Sequence, residues 1–301
     1  MSRPELAVPP QLLQRLARRR LSVPASFTAG GVGEHTSLTR GPGLEFAEHR
    51  AYQPGDDLRR IDPHVEARSG ELYVREFDVQ ERLAVTVVVD LSASMAFGEP
   101  PKADLSKRVA AALAYVGLAG ADRVRLAAFT GRGLRWGPRA ENVRAAGRLF
   151  QWLALQDTQG AVEFGSVARE LGARLPRPGL LLLVSDWLFA EPHEGLTLLR
   201  AAQQRVVGVQ VLAPSELDPA LLSGVAPLGG GLTLQDAETG AELEVRLDAD
   251  ALARYRARLE EWRKGLEGAF LRHGGGWLAA RSDADLERLL LVEWAGAGLI
   301  R

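Results

Sequence analysis

The chain contains no cysteine. Disulfides, thiolate metal sites and cysteine nucleophiles are thereby excluded, and the absence fits a reducing compartment. Lysine is nearly absent too. It stands only at positions 102, 107 and 264, and apart from the histidines every other basic side chain is arginine. No lysine follows Gly41-Pro42-Gly43, so a Walker-type phosphate loop is not expected there, and the glycines read as a turn. Net charge is also nearly absent, at −1. Nucleic-acid binders carry a basic footprint, and the one local cluster, Arg15 with Arg18, Arg19 and Arg20, reads as the solvated face of a short helix. Long apolar runs are missing as well. Leu180–Val184 is strand-sized, whereas a membrane-spanning helix needs roughly 20 apolar residues. The N-terminal stretch lacks the apolar centre of a signal peptide. These absences together predict a cytoplasmic protein with no membrane insertion and no nucleic-acid partner. The five histidines, at 35, 49, 64, 193 and 273, show no paired spacing, and no Gly-x-Ser-x-Gly elbow surrounds Ser185, Asp186 and His193. A metallohydrolase and a serine hydrolase are both disfavoured.

What is present is ordinary globular material: 301 residues, 46% hydrophobic and 25% charged. Three zones are legible. Residues 1–30 read as a helix, Gln11–Arg20, and a linker ending in Ala29-Gly30-Gly31. Residues 31–81 carry turn signals, Pro54-Gly55 and Ser69-Gly70, around alternating segments such as Glu71–Phe77, and predict a small β-rich segment. Its charges, among them Glu45, Arg50, Asp56, Asp57, Arg59, Asp62, Arg68 and Arg75, suit an ion-pair network or a recognition surface.

Residues 82–301 alternate. Ala84–Val89, Val124–Phe129, Leu180–Val184, Val206–Leu212 and Trp277–Ala280 read as strands buried on both faces. Between them lie helical patterns at Asp104–Ala119, Asn142–Leu155, Phe164–Leu175, Pro192–Gln204 and Ala249–Arg272, with a last one at Asp283–Val292. The alternation predicts a doubly wound α/β fold of Rossmann type with a mostly parallel sheet. A hairpin is expected near 230–248, entered through Gly229-Gly230-Gly231. Leu252, Tyr255, Leu259, Trp262 and Leu266 predict a core-facing helix stripe.

In such sheets ligands bind at the carboxyl ends of the strands, beside the topological switch point. There the chain places Asp90-Leu91-Ser92-Ala93-Ser94. One carboxylate and two hydroxyls form a hard oxygen set that suits Mg²⁺ or Mn²⁺. A second carboxylate, Asp186, follows the strand Leu181–Ser185. Ser92 and Ser94 could instead cap the following turn, with Asp90 bonding backbone amides.

This pattern resembles the metal-ion-dependent adhesion site (MIDAS) of von Willebrand factor A domains. The ordered series Gly43-Leu44-Glu45-Phe46, Arg50-x-Tyr52-x-Pro54-Gly55-Asp56-Asp57, Arg59, Ile61-Asp62, Ala67-Arg68 and Asp90–Met95 is similar to the bacterial DUF58 family. The resemblance implies a von Willebrand A-like domain and a partner that is an AAA+ ATPase of the MoxR type. It also implies a metal-bound interaction with an acidic residue of a protein ligand. Two positions depart from the family pattern: Pro63 stands where tryptophan is usual, and Val162 stands where a metal-binding threonine is expected, leaving Thr158 as a substitute ligand. The functional expectation is a non-enzymatic interaction module with Asp90, Ser92, Ser94, Asp186 and Thr158 around the metal. A metal-dependent hydrolase and a structural family member with a decayed metal site are the alternatives.

Overall fold

The structure is a computed structural model describing residues 6–22, 38–41, 45–54, 56–58, 61–80, 82–176, 178–189, 191–222, 231–237, 240–246 and 248–301. Gly43, Gly55, Arg59, Ala29-Gly30-Gly31 and the Gly229-Gly230 entry to the hairpin lie outside the described residues. The chain divides into two units. One comprises residues 31–82, and the other joins residues 1–30 to 83–301.

The smaller unit holds β1 (Leu38–Gly41), β2 (Glu45–Ala51), helix α2 (Pro63–Ser69) and β3 (Tyr73–Gln80). Its antiparallel sheet has the order β1-β3-β2. Helix α2 departs from the purely extended expectation. Asp62 caps it by accepting from the His64 amide at 2.9 Å, and Gly70 closes it with φ +73°. The Ser69-Gly70 signal thus ends a helix, the position where a left-handed glycine is most useful. Three of the expected charges are paired within the unit. Arg50 Nη2 bonds Asp56 Oδ1 at 2.8 Å and His49 Nε2 lies 2.9 Å from Asp62 Oδ2.

The larger unit begins with helix α1 (Pro10–Leu16) and continues with β4 (Ala84–Asp90), α3 (Lys102–Ala119), β5 (Arg123–Thr130), β6 (Gly133–Ala140) and α4 (Ala146–Ala154). It continues with α5 (Phe164–Arg174), β7 (Gly179–Ser185), α6 (Pro192–Ala201), β8 (Gln204–Leu212) and the single turn α7 (Pro214–Leu217). The hairpin of β9 (Gly231–Gln235) and β10 (Glu242–Arg246), helix α8 (Ala249–Arg272) and β11 (Gly276–Arg281) complete the strands. Six strands form one sheet in the order β11-β8-β7-β4-β5-β6, parallel throughout except for β6. The fold is the doubly wound, Rossmann-like α/β architecture that the alternation predicts.

Burial on both faces explains the unbroken apolar strands. Val85, Val87 and Val89 face one layer with Leu12, Leu16, Leu113, Leu149 and Trp294. Val88 faces the other with Phe164, Leu171, Leu196 and Phe270. Strand β6 is new relative to the sequence reading. It is an antiparallel edge strand, and Gly137 and Pro138 fall at its register shift against β5. Proline is tolerated in sheets at such edges and bulges, but it masks the strand in the sequence. The last predicted helix breaks up instead into α9 (Leu286–Arg288), a π-turn (Leu289–Glu293) and one α-turn. The α8 stripe is only partly in the core: Leu252 and Leu266 are buried, Leu259 and Trp262 are half-buried, and Tyr255 is exposed.

Candidate polar cluster at the carboxyl edge of the sheet

From β4 the chain crosses to β5 on one side and later returns to β7 on the other. The switch point therefore lies between β4 and β7, where Asp90 and Ser185 end their strands. The two side chains meet: Ser185 Oγ donates to Asp90 Oδ2 at 2.6 Å. Asp90 Oδ1 accepts the Ser92 amide at 2.8 Å. Asp90 is fully buried, and that burial, followed by the negative charge of Asp186, pushes its carboxyl up to about 7 against the opposing hydrogen bonds.

The loop after β4 delivers the two hydroxyls. Ser92 Oγ and Ser94 Oγ are 3.1 Å apart, and Ser94 Oγ donates to Asp186 Oδ2 at 2.9 Å. The other oxygen of Asp186 accepts the Leu188 amide at 3.1 Å. Asp186 is fixed from behind as well. Its carbonyl accepts from Gln210 on β8, whose Oε1 in turn accepts from Arg263 on α8. Trp187 then turns the chain with φ +61°, a conformation rare for a bulky residue. An aromatic nest holds that turn: the Trp187 ring meets Phe270 at 4.8 Å and Phe164 at 5.3 Å between centroids.

Lys102, the first residue of α3, reaches this cluster at Asp186. Its Nζ lies 2.7 Å from Asp186 Oδ2 and 2.6 Å from Glu216 Oε1 of α7. The Lys102 side chain is 0% exposed and that of Asp186 only 2%, so the pair is sealed from water. Burial pulls the ammonium's pKa down, but the Asp186 and Glu216 carboxylates outweigh it and the net direction is up. The lysine is therefore a buried, charged cation.

The residues do not fit a divalent metal in this arrangement. Asp186 Oδ2 already accepts from an ammonium and a hydroxyl, and both Asp90 oxygens are engaged by protein donors. A divalent ion on the same Asp186 oxygen would face a positive charge across a dry gap. Among the described residues no group of three or more His, Cys, Asp or Glu side chains is placed to hold a metal. Thr158 is half-buried and none of the described hydrogen bonds reaches it. Its loop does reach the site through backbone: the Gln159 amide donates to Leu91 O and the Ala93 amide to Gly160 O, both at 2.9 Å. That approach needs Gly131 and Gly160, since a Cβ on Gly131 would stand 2.6 Å from Gly160 Cα. Val162 packs against the aromatic layer.

Residues 48–264 match the family described as "Protein of unknown function DUF58". The chain belongs to the DUF58 family. Relatives with a longer match are the uncharacterized proteins Rv1480 of Mycobacterium tuberculosis (strain ATCC 25618 / H37Rv) and Mb1516 of Mycobacterium bovis (strain ATCC BAA-935 / AF2122/97). Each is 31% identical over 290 residues, covering 92% of this chain and 86% of the relative. A solved structure, the conserved hypothetical protein BatB from Bacteroides thetaiotaomicron, is 14% identical with a TM-score of 0.44, covering 72% of this chain and 98% of that one. Proximal thread matrix protein 1 from the mussel byssus matches with a TM-score of 0.37 at 14% identity, covering 44% of this chain and 38% of that one.

In this DUF58 chain, four of the five residues singled out in the sequence, Asp90, Ser92, Ser94 and Asp186, share one hydrogen-bonded cluster, and none of the described hydrogen bonds joins Thr158 to it. Lys102 and Glu216 are the members that sequence reasoning missed. A signal for Lys102 existed: a cation at the first position of a long helix opposes the helix dipole, and lysine is rare in this chain. Glu216 offered none, because α7 is too short to show a period.

Proposed function

We propose that the protein is a non-enzymatic interaction module that docks a protein partner on the carboxyl-edge loops of its sheet. The observation that carries this reading is the contrast between a closed polar cluster and the apolar side chains around it. Phe97 and Leu188 lie 40% and 49% exposed on the loops whose backbones the cluster fixes. Lys102 sits beneath the Phe97 ring at 5.9 Å from its centroid, and the Leu188 amide is bound to Asp186. Leu155 and Leu221, on neighbouring loops, are also exposed. Rigid loops that present apolar groups suit a docking surface, because little ordering entropy is lost on binding.

The von Willebrand A-like reading and the MoxR-type AAA+ ATPase partner come from family resemblance, and they name the partner to try first. The acidic partner residue expected on a metal has no counterpart in this proposal, because the Lys102 ammonium is enclosed and already bound to two carboxylates. Binding of a purified MoxR-type ATPase would be measured by calorimetry against wild type, Phe97→Glu and Leu188→Glu, in EDTA and in Mg²⁺. The expected result is binding that either substitution weakens at least tenfold while the melting temperature holds. Equal binding by all three proteins would place the interface elsewhere, and no binding by wild type would remove the ATPase as partner.

A further inference from the structure

We propose that Lys102 is a tethered replacement for the divalent cation of this site, so that the cluster assembles without metal. The inference concerns the cluster itself and does not depend on the partner named above. The oxygen set that the sequence offers a cation is Asp90, Ser92, Ser94 and Asp186. In the fold these groups do form one cluster at the switch point, and the cation bound to it, at the Asp186 oxygen that Ser94 shares, is the ammonium of α3. It brings a third carboxylate with it. Glu216 is held independently, since its Oε2 accepts the Ala213 amide at 2.7 Å, and its Oε1 is aimed at Nζ.

The ammonium does what a coordinated ion would do for architecture. It ties the end of β7, through Asp186, to α7 beyond β8, while Ser94 links the same Asp186 oxygen to the loop after β4. Three loops at the carboxyl edge are thereby cross-braced from one charged point. A lysine cannot dissociate into solvent, so the brace is independent of Mg²⁺ or Mn²⁺ concentration. The ammonium bonds two carboxylate oxygens, of Asp186 and Glu216, where octahedral Mg²⁺ would demand a fuller oxygen shell. That agrees with Thr158 making none of the described hydrogen bonds to the cluster and with valine at position 162.

The test removes the tether and asks whether a metal takes its place. Mn²⁺ would be titrated into the full chain and followed by electron paramagnetic resonance and by melting temperature. Wild type should bind no Mn²⁺ that Asp186→Ala removes, and its melting temperature should be the same in EDTA and in Mn²⁺. Lys102→Ala vacates the point between Asp186, Glu216 and Ser94. It should acquire one Mn²⁺ that raises its melting temperature, and adding Glu216→Gln should weaken that binding at least tenfold. Asp186-dependent Mn²⁺ binding by wild type would overturn the proposal, and so would a folded Lys102→Ala that binds none. If Lys102→Ala is unfolded in EDTA, recovery of its near-ultraviolet circular dichroism on adding Mn²⁺ supports the proposal, and absence of recovery refutes it.

Discussion

Replacing Lys102 with methionine keeps most of the side-chain volume and deletes the charge that Asp186 and Glu216 share. Both carboxylates are then stranded in a region where their side chains are 2% and 15% exposed. Removing one partner of a buried ion pair typically costs about 3–5 kcal/mol, because the remaining charge cannot recover its hydration. Two stranded carboxylates put this case toward the upper part of that range. For a domain of roughly 150–250 residues, 1 kcal/mol corresponds to about 2–4 °C in melting temperature. The expected fall is therefore on the order of 10 °C or more. Urea unfolding should show the midpoint shifting at unchanged m-value. The triple variant Lys102→Met/Asp186→Asn/Glu216→Gln should recover most of the loss, because neutral amides can share hydrogen bonds without a counter-ion. A loss below about 1 kcal/mol for Lys102→Met, the scale of an exposed pair, would refute the reasoning.

Asp90 gives a pH prediction. Its folded pKa of about 7 lies above the ordinary 3.8, so the folded state holds the proton more tightly. Ionising Asp90 then costs stability: nothing below about 3.8, the full amount above about 7. Asp90→Asn should gain on wild type as pH rises through that window, which melting temperatures of the two proteins will show. Gly208 faces the Phe270 ring so closely that an added Cβ would stand 2.5 Å from it. Gly208→Ala should lose roughly 1–3 kcal/mol by overpacking, read from the urea midpoint. Ile300, 1% exposed in the layer that holds α1, should not tolerate charge. Ile300→Asp should open the Leu12 and Leu16 helix to limited proteolysis.

The strands were legible because double-sided burial writes itself as runs such as Val85–Val89 and Leu180–Val184. Strand β6 was not, since Gly137 and Pro138 interrupt it where the register shifts. Helix α2 was hidden because its seven residues are too few for a period. In the cluster, Asp90, Ser92, Ser94 and Asp186 could be found by asking what the carboxyl ends of two central strands carry. What the sequence could not show is which cation fills the centre. Oxygen ligands look alike whether they await a metal or an ammonium, and the deciding side chain begins a different element. Charge at the wrong end of a helix is the trace such a replacement leaves.

The pairing of the N-terminal segment has a consequence for the order of events during synthesis. Arg20 and Arg301 exchange two backbone hydrogen bonds, at 2.8 and 3.0 Å, and Leu21 pairs with Ile300. The segment Arg20–Ser22 leaves the ribosome well before residues around 300 and waits for them before its backbone pairing exists. Until then the buried layer that holds Leu12 and Leu16 lacks Trp294, Leu299 and Ile300. Closure of this unit consequently waits until residues around 300 have left the ribosome, whatever the earlier strands have already built.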